Sequence, residues 1–115
     1  MKEWTLQFDP KDADNLEDIR SGLKLFETRA ATPKYQKIAV GDILVLVCGT
    51  QLLSKKVVGV QHFRSVEEMV AEIPLIHIMP HIQSIEAIKE RYTSYPGYDE
   101  KIKEFGLLAF EMTDL

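Results

Sequence analysis

Three strand-like segments follow one another along the first half of the chain, separated only by turns and one short helical segment. They are residues 25–30, residues 43–48 and residues 52–63, and they are rich in apolar and β-branched side chains. Thr32-Pro33 ends the first segment, and Gly-Asp and Gly-Thr pairs flank the second. Consecutive strands with such connections are typical of an antiparallel meander, and small sheets of this kind often curl into a barrel.

The other segments alternate between the strand period and the helix period. The predicted elements are a strand at residues 4–8, helices within residues 10–21 and at residues 66–73, 85–94 and 99–105, and a final strand at residues 107–112. Gly22 suits the residue after a helix end, because glycine adopts a positive φ at little cost. Ser65 and Glu68 match a capping box at the start of the helix at residues 66–73, and Ser84 can cap the helix at residues 85–94. We therefore predict an α+β fold, a small, mostly antiparallel β-barrel with flanking helices.

The composition is that of a soluble globular chain, and with 115 residues we expect one domain over residues 1–115. A formal net charge of −4 argues against non-specific coating of nucleic acid, which needs an excess of Lys and Arg. The start of the chain lacks an apolar signal-peptide core, and its longest apolar run, residues 43–48, is too short for a membrane span. Cys48 is the only cysteine, so no disulfide can form within the chain, and a cytoplasmic location without membrane contact is expected.

A dense set of charges directly follows the predicted helix end at Gly22. Lys24, Glu27 and Arg29 stand within a few residues of one another. Arg29 offers a planar donor fork for a phosphate or a base edge, and Lys24 offers a compact charge. Glu27 could orient Arg29, accept from a base amino group, or act as a general base. The alternative is an ion pair on a solvated sheet face, which contributes little energy.

Strand geometry sets a condition on these charges. In an ideal strand Glu27 and Arg29 share one face, whereas Lys24 and Thr28 lie on the other. Lys24 must therefore lie in the turn after Gly22, or beside a bulge, if the three charged side chains are to line one cleft.

Three tyrosines cluster late in the chain. Tyr92 shares an apolar stripe with Ile85 and Ile88 and is predicted to be a core residue. Tyr95 and Tyr98 flank a turn, where they either line a ligand cleft as stacking surfaces for a base or pack in the core. We include both among the candidate ligand-binding residues.

No metal site and no cofactor are expected. His77 and His81 are four residues apart, but Pro80 between them opposes a continuous helix that would put both on one face. His62 has no carboxylate partner at a recognisable spacing. Asp42 is predicted to be a turn residue whose carboxylate bonds to nearby main chain.

With these residues in place, the chain resembles the activating-signal-cointegrator homology (ASCH) domain, a member of the PUA-like group of small β-barrels. The matching motifs are Gly22, Lys24, Glu27 and Arg29 in the family's G-x-K-x-x-E-x-R pattern, Gly41-Asp42 before an apolar strand, Ser65 to Met69 at a helix start, and the closing segment from Gly106 to Glu111. The resemblance runs from about Leu6 to Met112. It implies a PUA-like barrel with a cleft near the G-x-K motif that takes RNA or a nucleotide-like ligand.

The resemblance also implies two alternatives for the chemistry. The first is a module that binds RNA or a modified nucleoside through Lys24, Glu27, Arg29, Tyr95 and Tyr98. The second is a small amidohydrolase, since some bacterial members of the family hydrolyse the amide of acetylcytidine nucleosides; here Lys24 and Glu27 would be catalytic. In those members the matching lysine activates a threonine three residues later, a position that Glu27 occupies in this chain. A protein-interaction module without ligand chemistry is a third hypothesis, and the ligand and the oligomeric state stay open.

Overall fold

The structure is a computed structural model that describes residues 1–115. The strands are β1 (Glu3–Gln7), β2 (Phe26–Ala30), β3 (Ile43–Cys48), β4 (Gln51–Phe63) and β5 (Leu107–Thr113). The helices are α1 (Ala13–Ser21), α2 (Val66–Glu72), α3 (Ile85–Thr93) and α4 (Tyr98–Phe105). Short 3-10 turns lie at Pro10–Asp12, Tyr35–Lys37 and Leu75–His77. None of the helices has the length and apolar character that crossing a membrane would require.

The strands form one curled sheet in the order β1-β3-β4-β5-β2. β1 runs parallel to β3, and the other three neighbouring pairs are antiparallel. The predicted mostly antiparallel barrel is therefore wrong in two respects: the sheet is mixed, and the barrel is open because β1 and β2 are edge strands that do not pair with each other.

The predicted meander is correct for β3 and β4 but wrong for β2, which pairs with β5. The reason is that the connection after β2 turns away from the sheet instead of forming a hairpin. It starts where the N–H of Ala31 donates to the carbonyl of Gly106 at 2.9 Å and continues through the 3-10 turn at Tyr35–Lys37. The chain thus returns to the sheet as β3, on the far side of β4.

Asp42 connects the parallel strand β1 to the start of β3. Its carboxylate accepts hydrogen bonds from the indole Nε1 of Trp4 at 2.9 Å, the N–H of Lys2 at 3.1 Å and the N–H of Ala39 at 3.0 Å. These hydrogen bonds, led by that from Trp4, lower the pKa of Asp42. The predicted turn role of Asp42 is confirmed, and it extends to fixing β1 beside β3.

The sheet separates two hydrophobic clusters, and β5 belongs to both. Leu108, Phe110 and Met112 pack into the first cluster, together with Leu16 and Ile19 of α1. The alternate residues of β5 enter the second cluster: Leu107 and Ala109 pack there with side chains of α2 and α3. This alternation follows from the two-residue period of a strand that is covered on both faces.

The predicted helix ends are confirmed where local chemistry determines them. Gly22 follows α1 with φ of 86°, the left-handed conformation expected there. The hydroxyls of Ser65 and Ser84 accept from the main-chain N–H groups of Glu68 and Ala87, each at 3.1 Å, and so cap α2 and α3. β2 begins only at Phe26, which leaves Lys24 outside the strand.

Candidate functional site

A pocket of about 210 Å³ lies between the two edge strands, where a further strand would close the barrel. We call it the seam pocket. One wall comes from the end of β1 with Gln7 and Phe8, and the opposite wall comes from β2 with Glu27, Thr28 and Arg29. The pocket thus depends on residues that are far apart in the chain and that the open sheet brings together.

Three charged side chains meet at one end of the seam pocket. The Nζ of Lys24 lies 3.2 Å from one carboxylate oxygen of Glu27, and the Nε and Nη2 of Arg29 donate to the other at 3.0 and 2.9 Å. We call Lys24, Glu27 and Arg29 the charged triad. Lys24 and Glu27 are only 3% and 4% exposed, so the triad is a buried network and not an ion pair on a solvated face.

Lys24 joins the charged triad because it lies in the turn after α1. Its main-chain N–H donates to the carbonyl of Asp18 at 3.0 Å, and its Nζ donates to the side-chain oxygen of Asn15 at 3.2 Å. Lys24 is therefore free of the strand alternation that separates Glu27 from Thr28. The geometrical condition that the sequence set on Lys24 is met.

The opposite charges of the charged triad stabilise one another at short range. Burial would raise the pKa of Glu27, but the charges of Lys24 and Arg29 and their hydrogen bonds hold it below its ordinary value. Burial opposes the charge of Arg29 as well, yet the Glu27 carboxylate raises the Arg29 pKa above its ordinary value. Glu27 and Arg29 are therefore both ionised near neutral pH.

Arg29 also bridges the seam between the edge strands. Its Nη2 donates to the main-chain carbonyl of Gln7 at 3.2 Å, and its guanidinium lies 5.1 Å from the centre of the Phe8 ring and 5.8 Å from that of Tyr35. Most of its donor fork is thus used within the protein. This arrangement leaves little of the fork for the phosphate contact that the sequence suggested.

Carboxylates outnumber cations around the seam pocket. Asp9 and Asp12 line it in addition to Glu27, whereas the cations that line it are Lys24 and Arg29. Asp12 is itself paired with Arg91 at 3.3 Å. Both lining cations are paired with Glu27, so the pocket has no unpaired cation.

Tyrosine rings form the wall beside the free edge of β2. The hydroxyl of Tyr98 accepts from the N–H of Ala30 at 2.9 Å, and Tyr95 packs edge-on against the Tyr98 ring with centroids 5.6 Å apart. Burial raises the pKa of Tyr98 to about 12, so its hydroxyl stays protonated at neutral pH. Both rings line the seam pocket and also pack against the second hydrophobic cluster.

Tyr92 is a core residue, as predicted, and it also reaches the pocket. Its ring is 2% exposed within the second hydrophobic cluster, and its hydroxyl shares a hydrogen bond of 2.5 Å with the hydroxyl of Thr28. Thr28 pairs with Ala109 and Glu27 pairs with Phe110, so the two side chains lie on opposite faces of the sheet. Both still line the pocket, because it opens along the edge of β2.

The histidines do not meet at the seam pocket. The Nε2 of His81 lies 2.9 Å from the carboxylate of Asp18, and the Nε2 of His62 bonds to the carbonyl of Phe105 at 2.7 Å. No group of three or more His, Cys, Asp or Glu side chains is arranged to hold a metal ion.

Several lining residues had no signal in the sequence. Phe8, Asp12, Asn15 and Met79 come from three separate segments and reach the pocket only through the tertiary fold. The segment that carries Asp12 and Asn15 begins at Asp9 and Pro10, and the Asp9 carboxylate accepts from the N–H of Lys11.

Comparisons with known proteins extend over almost the whole chain. A family model described as the ASCH domain matches residues 13–115. The crystal structure of the hypothetical protein PH0355 has a TM-score of 0.83 and 28% sequence identity, with 100% of each chain covered. The solution NMR structure of PF0455 from Pyrococcus furiosus has a TM-score of 0.74 and 28% identity, with 98% of this chain and 97% of that chain covered. Among curated proteins, none matches this sequence significantly.

Proposed function

This chain belongs to the ASCH domain family, an RNA-binding-like family, and from that membership we propose that its seam pocket binds a nucleoside, either free or as an unpaired residue of RNA. The observation that carries the proposal is the composition of the pocket lining. It combines tyrosine rings with fixed, charged hydrogen-bonding groups. Single-stranded bases are commonly held in this way, by stacking on a ring and by hydrogen bonds at their edges.

The size of the pocket supports a single base with its sugar. About 210 Å³ is below the roughly 300–1,000 Å³ of pockets that hold drug-sized ligands. A stretch of several nucleotides would need a longer groove. An RNA ligand would therefore insert one unstacked residue and leave its neighbours at the rim.

The charges of the pocket favour a neutral ligand. The two lining cations are already bonded to Glu27, and the lining carboxylates outnumber them. A phosphate placed inside would meet the Asp9 carboxylate, while both lining cations already pair with Glu27. We therefore propose a nucleoside in preference to a nucleotide, with the phosphates of any RNA ligand kept outside.

The hydrolase alternative has less support from the geometry. A general base works best when its pKa lies near the operating pH, but two cations lower the pKa of Glu27. The Thr28 hydroxyl bonds to Tyr92, whose pKa is raised by burial, so that phenol does not act as a base at neutral pH. Lys24 is held between Glu27 and Asn15.

The proposal is tested by titrating the protein with uridine, cytidine, adenosine, guanosine and a short single-stranded RNA while backbone amide shifts are recorded. We expect shifts in residues 24–30 and 92–98. Uridine should bind at least as tightly as uridine monophosphate, since the pocket offers no free cation. If none of these compounds shifts residues 22–30, the proposal is wrong.

Tyr95 provides a matched pair of variants for the stacking contact. Tyr95→Ala should weaken binding about tenfold, in line with the cost of removing an aromatic ring beneath a base. Tyr95→Phe keeps the ring and should bind as the unsubstituted protein does. Equal binding by the alanine and phenylalanine variants would remove stacking on Tyr95 from the proposal.

A further inference from the structure

β2 is an edge strand, so only alternate residues direct their main-chain groups toward its one partner, β5. The N–H of Met112 donates to the carbonyl of Leu25 at 3.0 Å, and the N–H of Ala31 donates to the carbonyl of Gly106 at 2.9 Å. In this register the odd-numbered residues of β2 form the hydrogen-bonded pairs. The even-numbered residues, Thr28 among them, point their N–H and C=O groups toward the free edge.

The protein satisfies the main-chain groups of Ala30 at this edge but not those of Thr28. The N–H of Ala30 donates to the Tyr98 hydroxyl, and its carbonyl accepts from the N–H of Thr32 at 2.8 Å. Apart from strand pairing with β5, the one hydrogen bond of Thr28 is that of its side-chain hydroxyl to Tyr92. Thr28 is only 6% exposed and lines the seam pocket. A main-chain donor and acceptor without a protein partner, in a largely buried residue that lines a cavity, point to a ligand.

The surroundings favour a small ring over an added peptide strand. A strand that extended the sheet would bond to successive even-numbered residues of β2. Tyr98 and Thr32 already hold both main-chain groups of Ala30, and Arg29 bridges the seam to Gln7. Only the pair of groups on Thr28 therefore remains available inside the pocket.

We propose that the main-chain N–H and C=O of Thr28 together bind the hydrogen-bonding edge of the ligand ring. This inference rests on the proposed function, since it assumes that a base enters the seam pocket. The N–H and C=O of one strand residue point the same way and exchange two hydrogen bonds with a partner that presents an acceptor beside a donor. A neutral heterocycle with that edge, such as the N3–H and neighbouring carbonyl of uracil, is such a partner.

Recognition by the main chain of Thr28 tolerates different bases but not a methyl group on the hydrogen-bonding edge of the base. Each common base has an acceptor next to a donor on its pairing edge, so the main chain of Thr28 accepts all of them. A methyl group on that edge removes the donor, leaves the Thr28 carbonyl unpaired and adds bulk against β2. Methylation elsewhere on the ring leaves both hydrogen bonds intact.

Matched ligands test the inference on the unsubstituted protein. Uridine is compared with 3-methyluridine, which lacks the ring N–H, and with 5-methyluridine, which carries its methyl group away from the edge. We expect 3-methyluridine to bind about tenfold more weakly, or worse, and 5-methyluridine to bind as uridine does. If cytidine or adenosine gives the larger amide shifts, its dimethylamino analogue replaces 3-methyluridine; for guanosine, 1-methylguanosine does so.

Two variants of Thr28 test the protein side. Thr28→Pro removes the main-chain N–H at an edge position where no ladder hydrogen bond is lost. Thr28→Val also removes the hydroxyl but keeps the N–H, so it is the matched control. We expect Thr28→Pro to lose binding about tenfold while Thr28→Val retains it.

The outcomes separate this inference from the proposed function. If no nucleoside shifts residues 22–30, the proposed function is wrong. If nucleosides bind but 3-methyluridine binds as tightly as uridine, only the role of Thr28 is overturned. Equal losses in the proline and valine variants would assign the effect to the hydroxyl and overturn the inference as well. The ligand series decides the question even if Thr28→Pro does not fold.

Discussion

Replacing Glu27 with glutamine should strongly destabilise the protein. The substitution Glu27→Gln nearly preserves the size of the side chain but removes the one negative charge between the two cations of the charged triad. Glu27 contacts Lys24 at 3.2 Å and Arg29 at 2.9 Å, and Lys24 is 3% exposed. Lys24 would then be buried with the side chain of Asn15 as its remaining acceptor.

The size of the loss follows from the burial of the network. Removing one partner of a buried ion pair costs about 3–5 kcal/mol, because the other charge is left without compensation in a poorly solvated site. The amide oxygen of glutamine can still accept one hydrogen bond from Arg29, so we expect about 3 kcal/mol. That is a large part of the roughly 5–15 kcal/mol that stabilises a protein of this kind.

Urea unfolding followed by the fluorescence of Trp4, the only tryptophan, measures this loss. The control is Asp99→Asn, which breaks the exposed pair of Asp99 with Lys103, in which the side chains are 49% and 76% accessible. An exposed pair contributes about 0–1 kcal/mol. Adding Lys24→Met to Glu27→Gln removes the stranded charge and should recover part of the stability.

A loss in Glu27→Gln no larger than that in Asp99→Asn would refute this reasoning. It would mean that water reaches the charged triad and screens its charges as on an open surface. A double variant less stable than Glu27→Gln alone would also contradict it, because the cost would then come from packing and not from an uncompensated lysine.

Three further predictions concern pH, the edge of β2 and the turn before β5. The pKa of Glu27 is lower in the folded protein than its ordinary value of 4.5. The stabilisation by ionised Glu27 is therefore complete above pH 4.5 and is lost as the pH falls through the lower folded pKa. On acidification, the urea unfolding midpoint should fall less steeply in Glu27→Gln than in the unsubstituted protein. Tyr98→Phe leaves the N–H of Ala30 unpaired and should cost about 1–3 kcal/mol in urea unfolding, whereas Tyr95→Phe should cost little. Gly106→Ala should be more destabilising than Gly41→Ala. Both glycines have a positive φ, but only at Gly106 would the added Cβ clash, 2.3 Å from the main-chain oxygen of Phe63. Equal urea unfolding midpoints for the two variants would contradict this prediction.

The elements of the fold were predictable because their signals are local. The glycine after α1 and the serines before α2 and α3 act on main-chain groups within a few residues, and the structure places each helix end where they predict it. The predicted bounds of β3 agree with the structure, since a continuous apolar run between two turn pairs leaves little freedom.

The partners of the strands were not predictable in the same way. The pattern of residues 25–30 predicts a strand, but it does not say whether β3 or β5 lies next to it. That choice depends on a long-range pairing with residues at the end of the chain. The parallel contact of β1 with β3 likewise depends on Asp42, whose bonds to Lys2 and Trp4 span about forty residues.

The candidate site also has a part that local sequence predicts and a part that depends on long-range strand pairing. Lys24, Glu27 and Arg29 are close in sequence, so their grouping was visible, and only the position of Lys24 needed the structure. The free main-chain groups of Thr28 depend on which strand edge is unpaired. No pattern of side chains in the sequence carries that information.

The alternation of β5 between the two hydrophobic clusters has a consequence for how the molecule unfolds. Leu108 and Phe110 pack in one cluster, and Leu107 and Ala109 pack in the other. Unfolding of either cluster would therefore expose one face of β5 to solvent. The two halves of the interior are thus energetically coupled, and we expect a single cooperative transition. Hydrogen exchange should show the amides of β4 and β5 opening together, at the free energy of global unfolding.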